Sequence, residues 1–179
     1  MSRPPALPRR NSRPAVPPLP AFEALDRTHR MVLQMLGEME VLLSLLESQG
    51  AVPEARRMAR EIHGFFEGHA RQHHADEERS VFPGLLASND ESLRHHVLRL
   101  QQDHGWLEED WRVLAPQLEA VAQGYNWFEL PMLRLALPVF RELYEEHIAL
   151  EESLIYPAAM RREAALAEGA RAREALKPA

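Results

Sequence analysis

One pattern occurs twice in the chain and most constrains its fold. Residues 73–83 and residues 147–157 both read H-x3-E-E-x3-aromatic-Pro. In an α-helix, residues four apart lie one above the other, so the histidine and the first glutamate of each copy share a face. Two further histidines, His29 and His104, precede the two copies; they lie 75 residues apart, and the histidines that open the copies lie 74 apart. The sequence therefore predicts two copies of a helix pair, with metal ligands on all four helices.

The composition favours one domain and limits the chemistry of any metal site. The 179 residues are 45% hydrophobic and 27% charged, as in an ordinary globular domain with its own core. The absence of Cys excludes disulfides, thiolate zinc sites, iron–sulfur clusters and a catalytic cysteine. Imidazole and carboxylate groups must therefore hold the metal, and they suit iron, manganese or zinc. No apolar run has membrane-spanning length, so we expect no membrane partner and a cytoplasmic location.

Charge is divided unevenly along the chain. Residues 1–20 contain four arginines, seven prolines and no acid, and we expect them to form a disordered tail. Because the whole chain carries a net charge of −6, the remainder carries −10. An acidic body argues against a nucleic-acid partner.

Apolar spacing and helix-breaking residues predict four helices. The expected ranges are 21–48, 53–81 or beyond, 89–123 and 130–160. Ser88 and Glu91 have the spacing of a capping box that opens the third helix, and Pro138 should either kink the fourth helix or set its true start. Because the connections are short, we expect an all-α, up-down-up-down antiparallel four-helix bundle over residues 21–160. Residues 161–179 form a charged, Ala-rich extension, either solvated or partner-binding.

The polar residues on the inward helix faces should meet at one level near one end of the bundle. They are six candidate metal ligands: His29, His73, Glu77, His104, His147 and Glu151. Two buried carboxylates without a cation would cost several kcal/mol, whereas a bound divalent ion would add to folding stability. Six groups exceed the need of one tetrahedral ion and match a two-metal site in which each carboxylate can bridge both ions.

Two further residues are additional candidates for this site. His69 is expected to face inward one turn above His73, beside the ligands or as a fifth imidazole. Glu108, four residues after His104, is either another oxygen ligand or a solvated neighbour.

Metal-binding histidines also need an acceptor for their second ring nitrogen. Asp26 and Asp103 are the candidate acceptors nearest to His29 and His104 in the sequence, although Asp103 can also face away. Three polar neighbours of the ligands are expected on outer, solvated faces: His74, Glu78 and Glu152.

These residues and their order resemble the hemerythrin family, specifically its bacterial HHE cation-binding branch. The resemblance covers roughly residues 21–160 and rests on the six candidate ligands together with the pairs Phe82-Pro83 and Tyr156-Pro157. It implies a non-haem di-iron centre bridged by Glu77 and Glu151 and open on one side to a small ligand. Members of the family bind dioxygen reversibly, sense oxygen or iron, or handle nitric oxide and peroxide.

One position departs from the oxygen-carrying hemerythrins, which have a second histidine four residues after the first on the third helix. Here that residue is Glu108, and replacing an imidazole by a carboxylate should make the irons more easily oxidised, which argues against stable oxygen carriage.

Three functions remain open at this stage. The first is a protein that binds or senses dioxygen, nitric oxide, peroxide or iron at two iron ions, with zinc or manganese as substitutes. The second is a redox enzyme that reduces peroxide or nitric oxide at the same centre, which is less favoured because no residue identifies an electron donor. The third is a metal-regulated helical interaction module. The oligomeric state is also open, with a weak dimer as one option.

Overall fold

The computed structural model describes residues 19–176, and every regular element in that range is helical. The helices are α1 (Leu19–Gln49), α2 (Pro53–Phe65), α3 (Arg71–Ser80), α4 (Phe82–Leu86), α5 (Glu91–Gln123), α6 (Leu130–Leu150) and α7 (Tyr156–Ala175). Two π-helical turns of five residues each, Phe66–Ala70 and Glu151–Ile155, join α2 to α3 and α6 to α7. Residues 19–176 thus form four helical stretches, and the predicted all-α class is confirmed.

Two glycines end the first and third stretches. Gly50 and Gly124 have φ angles of 73° and 78°, a left-handed conformation that glycine adopts at little cost. At the other end, α1 begins at Leu19, slightly before the predicted start. Residues 1–18 of the predicted 1–20 tail lie outside the described residues.

The start of α5 corrects the predicted capping box. Asp90, not Ser88, is the N-cap, and its side chain accepts a hydrogen bond from the backbone N–H of Leu93 at 3.0 Å. The Ser88 hydroxyl instead accepts a hydrogen bond from the backbone N–H of Asp90 at 3.3 Å. An aspartate directly before the first turn reaches its free N–H groups better than a serine two residues earlier.

The fourth stretch begins at Leu130, as predicted, and passes through Pro138. Pro131 occupies a first-turn position, where the missing N–H costs no hydrogen bond. Pro138 therefore does not set the start of this helix. At the other end, α7 continues to Ala175, through most of the predicted extension.

A layer of polar side chains divides the buried core into two apolar clusters. The larger cluster includes Met39, Phe66, Leu114 and Phe140, and the smaller one includes Phe22, Phe82, Leu100 and Ile155. On α5, for example, His104 lies between Leu100 of the smaller cluster and Leu107 of the larger. The sequence predicted that the polar layer lies near one end of the bundle. The smaller apolar cluster lies between this layer and that end.

The four helical stretches pack directly on one another. Both α1 and α5 contact α2 and α6. Within residues 19–176, no helix combines the length and the apolar character needed to cross a membrane.

Candidate metal centre

All four helical stretches contribute to one buried polar cluster. Its six members are the predicted ligands: His29 of α1, His73 and Glu77 of α3, His104 of α5, His147 of α6, and Glu151 at the start of the second π-helical turn. Each is between 0% and 7% exposed. The helix spacing therefore brings together side chains that are far apart in the sequence.

Glu151 lies between two histidines from different helices. Its Oε2 atom is 3.1 Å from Nε2 of His29 and 3.3 Å from Nε2 of His147. The second contact joins residues four apart, as the repeated pattern predicts.

Glu77 occupies the equivalent place in the other repeat. Its Oε1 atom is 3.5 Å from Nε2 of His73, and its Oε2 atom is 3.5 Å from Nε2 of His104. Each carboxylate thus faces one histidine of its own repeat and one from α1 or α5.

The ligand atoms form two overlapping groups of four. The groups are His29, His73, Glu77 and Glu151, and Glu77, His104, His147 and Glu151. Within each group, the ligand atoms all lie within 4.8 Å of one another. Because both glutamates belong to both groups, each can contact two cations held side by side. Each group offers two nitrogen and two oxygen donors, which suits iron, manganese or zinc.

Unpaired polar atoms in the cluster support a cation as its missing component. Among residues 19–176, both ring nitrogens of His73, the Oε2 atom of Glu77 and both carboxylate oxygens of Glu151 are buried without a hydrogen-bond partner. Buried polar atoms are normally satisfied, and leaving them unpaired costs stability. A divalent cation contacting these atoms would remove that cost, so the residues fit a metal.

The protonation of the cluster without a cation follows from burial and from its own charges. Burial and the charge of Glu151 raise the pKa of Glu77 to about 7. Burial opposes a charge on His147, but the Glu151 carboxylate raises the pKa of that imidazole to about 10. Burial and the charge of His29 lower the pKa of His73 to about 3. A binding cation must displace the protons that remain, since metal ligands bind in their deprotonated forms.

The second glutamate of each repeat holds a histidine of another helix. Glu152 Oε1 is 3.0 Å from Nδ1 of His29, and Glu78 Oε1 is 3.1 Å from Nδ1 of His104. When the carboxylate accepts a hydrogen bond from Nδ1–H, the Nε2 lone pair faces the cluster. The prediction that both glutamates are only surface charges was wrong, because their side chains reach sideways to the neighbouring helix while Glu152 remains 48% exposed and Glu78 36% exposed. The repetition of the Glu-Glu pair was the sequence signal for this role.

Asp103 faces a different histidine from the one expected. It is buried, and its Oδ2 atom lies 3.9 Å from Nδ1 of His147. Adjacent residues on a helix point about 100° apart, so Asp103 of α5 faces α6. Asp26 does lie beside His29, in a group with Glu152.

The first π-helical turn corrects two predictions for the second stretch. A π-helical turn contains about one residue more than an α-helical turn, so the inward face of α3 shifts from His73 towards His74. His69 consequently points outward, where it is exposed and stacks on Phe65 with ring centroids 5.7 Å apart. His74 turns inward, and its ring lies 4.1 Å from that of His104. His69 therefore belongs to neither ligand group, and His74 is not the solvated residue that was expected.

Glu108 also lies outside the ligand groups. Its carboxylate pairs with Arg71 at 2.6 Å and with Arg112 at 3.7 Å. Four residues after His104, it has passed one turn along α5 and faces the arginine of α3. Of its two predicted roles, the structure supports the solvated neighbour.

Tyr156, directly after the second π-helical turn, places an aromatic hydroxyl in the cluster. The Tyr156 hydroxyl donates a hydrogen bond to Glu77 Oε1 and lies 3.1 Å from Nε2 of His29. Its ring stacks on His29 at 5.4 Å, just as Phe82 stacks on His104 at 5.6 Å in the other repeat. The two ring stacks therefore differ by one hydroxyl group. The sequence contained the aromatic position in both copies but gave no sign that it reaches a ligand.

We expect Tyr156→Phe to destabilise the metal-free protein. The variant keeps the ring, as Phe82 does in the first repeat, but removes a hydrogen bond to a buried carboxylate. Such bonds contribute about 1.5–3 kcal/mol, so the melting temperature should fall by about 3–12 °C at pH 8. Tyr125→Phe is the matched control, because Tyr125 is 54% exposed. Equal melting curves for Tyr156→Phe and wild type would show that the hydroxyl contributes nothing there.

We also expect Glu152→Gln and Glu78→Gln to weaken metal binding without changing the number of ions bound. A carboxylate that holds a ligand histidine contributes about 10–100-fold to metal affinity, and glutamine removes the charge while preserving the shape. Competition with a chromophoric chelator measures the affinity, and Glu119→Gln at an exposed position of α5 is the control. If all three variants bind metal like wild type, the two contacts have no role in the site.

The fold and the cluster define the class of the protein: an all-helical protein with a buried histidine–carboxylate site for metal cations. The family model for the hemerythrin HHE cation binding domain matches residues 21–159. The chain therefore belongs to the hemerythrin HHE family, which implies cation binding and confirms the resemblance seen in the sequence. An uncharacterized protein of Haemophilus influenzae is 28% identical over 133 residues, covering 74% of this chain and 75% of that protein. No solved structure gives a significant match to this chain.

Proposed function

We propose that the protein holds two iron ions side by side and binds dioxygen or a related small ligand at them. The related ligands are nitric oxide and peroxide. The proposal also includes a sensor of iron itself, which would use the same site. The observation that carries the proposal is that Glu77 and Glu151 each belong to both ligand groups. Family membership supports cation binding, and the overlap of the groups supports two ions.

Two ions explain the cluster better than one. A single ion in the first group would leave His104 and His147 without a role, although their Nε2 atoms face each other at 3.2 Å. Two imidazole nitrogens at that distance need a shared proton or a cation between them. An ion in the second group supplies that cation. The same donors also accept zinc and manganese, so metal supply contributes to the choice of iron.

The protein would orient the ligand histidines, exclude water from the metal site and hold one proton beside a ligand carboxylate. Glu78 and Glu152 hold ligand histidines in the tautomer that presents Nε2. The apolar clusters on both sides of the polar layer exclude water from it. Tyr156 keeps a proton on its hydroxyl in contact with Glu77. Iron, when bound, supplies the reversible change of charge that binding of dioxygen or nitric oxide requires.

The proposal includes an up-down-up-down antiparallel arrangement of the four stretches. Each of α1 and α5 contacts both α2 and α6, and the connections between stretches are short. Short connections favour antiparallel neighbours.

Absorption spectroscopy tests the proposed ligand chemistry. Protein loaded with ferrous iron without oxygen should develop a new near-ultraviolet or visible band when it meets air or nitric oxide. Zinc-loaded protein is the control, because zinc has no redox chemistry. Iron-loaded protein that stays colourless under both gases would contradict the proposal.

A further inference from the structure

His74 is a partly buried imidazole that the two ligand groups do not use. Its ring is nearly parallel to that of His104, with centroids 4.1 Å apart and 16° between the planes. The ring of His147 lies 5.6 Å away. The Nε2 atom of His74 is buried and has no hydrogen-bond partner within the described part of the chain. Ligand atoms of these three histidines all lie within 4.8 Å of one another.

We propose that His74 is a fifth imidazole of the centre and binds the ion that His104 and His147 hold. The inference rests on the proposed two-ion function and adds a ligand that the repeated pattern does not contain. The two ions then differ, because one has two histidine ligands and the other has three.

The first π-helical turn explains how two consecutive histidines can serve two ions. On a regular α-helix, neighbouring residues point about 100° apart, so only one of them faces the core squarely. The extra residue in the turn moves the centre of the inward face to a point between His73 and His74. His73 then belongs to the first ligand group and His74 lies against the second. π-Helical turns often occur at functional sites, where they place a side chain that a regular helix could not.

The surroundings of the second group leave a place for this ligand. Glu108 of α5 turns away from the cluster to pair with Arg71. His74 approaches from α3 and stacks on His104. A residue that only filled space there would not need a ring nitrogen, and an unpaired buried nitrogen lowers stability. Coordination to a cation satisfies that atom.

Cobalt(II) titration tests the role of His74, because the visible absorption of cobalt strengthens as its coordination number falls. Wild type should bind two cobalt ions. His74→Ala should also bind two, with one held about tenfold or more weakly and with stronger visible absorption. Added imidazole should shift that spectrum back towards wild type. His95→Ala is the control, because His95 is exposed.

The outcomes separate this inference from the function on which it rests. If His74→Ala matches wild type in both affinity and spectrum, His74 is a packing residue and the inference is overturned. If wild type binds fewer than two cobalt ions, the two-ion function itself is overturned. His74→Gln, which keeps most of the volume, should show the same weakened site, so a folding defect of the alanine variant does not prevent the test.

Discussion

Glu151→Gln is expected to abolish binding of both ions, whereas His73→Ala is expected to leave one ion bound. Glu151 belongs to both ligand groups, and His73 belongs to the first group alone. Glutamine preserves the volume of the side chain but replaces a shared carboxylate by a neutral amide, a weak ligand for these cations. Loss of a residue that only hydrogen-bonds to a ligand lowers metal affinity by up to about 100-fold. Because Glu151 is itself a proposed ligand of both ions, its replacement should lower the affinity for each ion by more than that.

Metal content after dialysis against ferrous iron without oxygen measures this difference. Glu142→Gln changes the same charge at an exposed position of α6 and should bind metal like wild type. Equal loss of metal in Glu151→Gln and His73→Ala would contradict the shared role of the carboxylate, as would full retention in both.

The second large effect concerns stability: bound metal should raise the melting temperature by about 8–16 °C for each ion. An ion present at a thousand times its dissociation constant contributes about 4 kcal/mol if it binds only the folded state. In a chain of this length, each kcal/mol shifts the melting temperature by about 2–4 °C. The buried oxygens of Glu151, which have no hydrogen-bond partner, are the physical source of the gain, because the cation satisfies them.

Circular dichroism melting of metal-free and iron-loaded protein tests this expectation. A chelator should reverse the shift, and Glu151→Gln should show almost none. Magnesium serves as the control ion, because it prefers oxygen ligands in octahedral geometry to imidazole. Identical melting temperatures with and without iron would exclude both a tight metal site and a metal-regulated interaction module.

The fold and the six candidate ligands follow from regular spacing. The step of four between His147 and Glu151 gives one helix face directly, and the distances between repeats predict the four stretches. The structure buries all six residues and brings them within reach of common cations. Their role as ligands remains a prediction that the experiments above test.

The errors arise where the helix departs from regular geometry. His69 faces outward and His74 inward, the reverse of the prediction, because of the π-helical turn between α2 and α3. The contact of Tyr156 with Glu77 was not predicted either, and Tyr156 directly follows the second π-helical turn. Neither turn follows from hydrophobic periodicity, which assumes a constant number of residues per turn.

Long side chains caused a second kind of error. Glu78 and Glu152 do lie on outward-facing positions, as the helical angle predicts. Their carboxylates nevertheless reach the histidines of adjacent helices. Contacts of this kind depend on the distance between helices, which a single sequence does not contain. Repetition of the Glu-Glu pair in both copies is the one sequence feature that pointed to them.

Elemental analysis of protein purified and loaded with ferrous iron without oxygen tests the central claim most directly. The shared carboxylates predict about two irons per chain. A value near one would mean that only one of the two ligand groups binds metal. If the protein takes up no metal at all, the six residues form a hydrogen-bonded polar layer and the proposed centre does not exist.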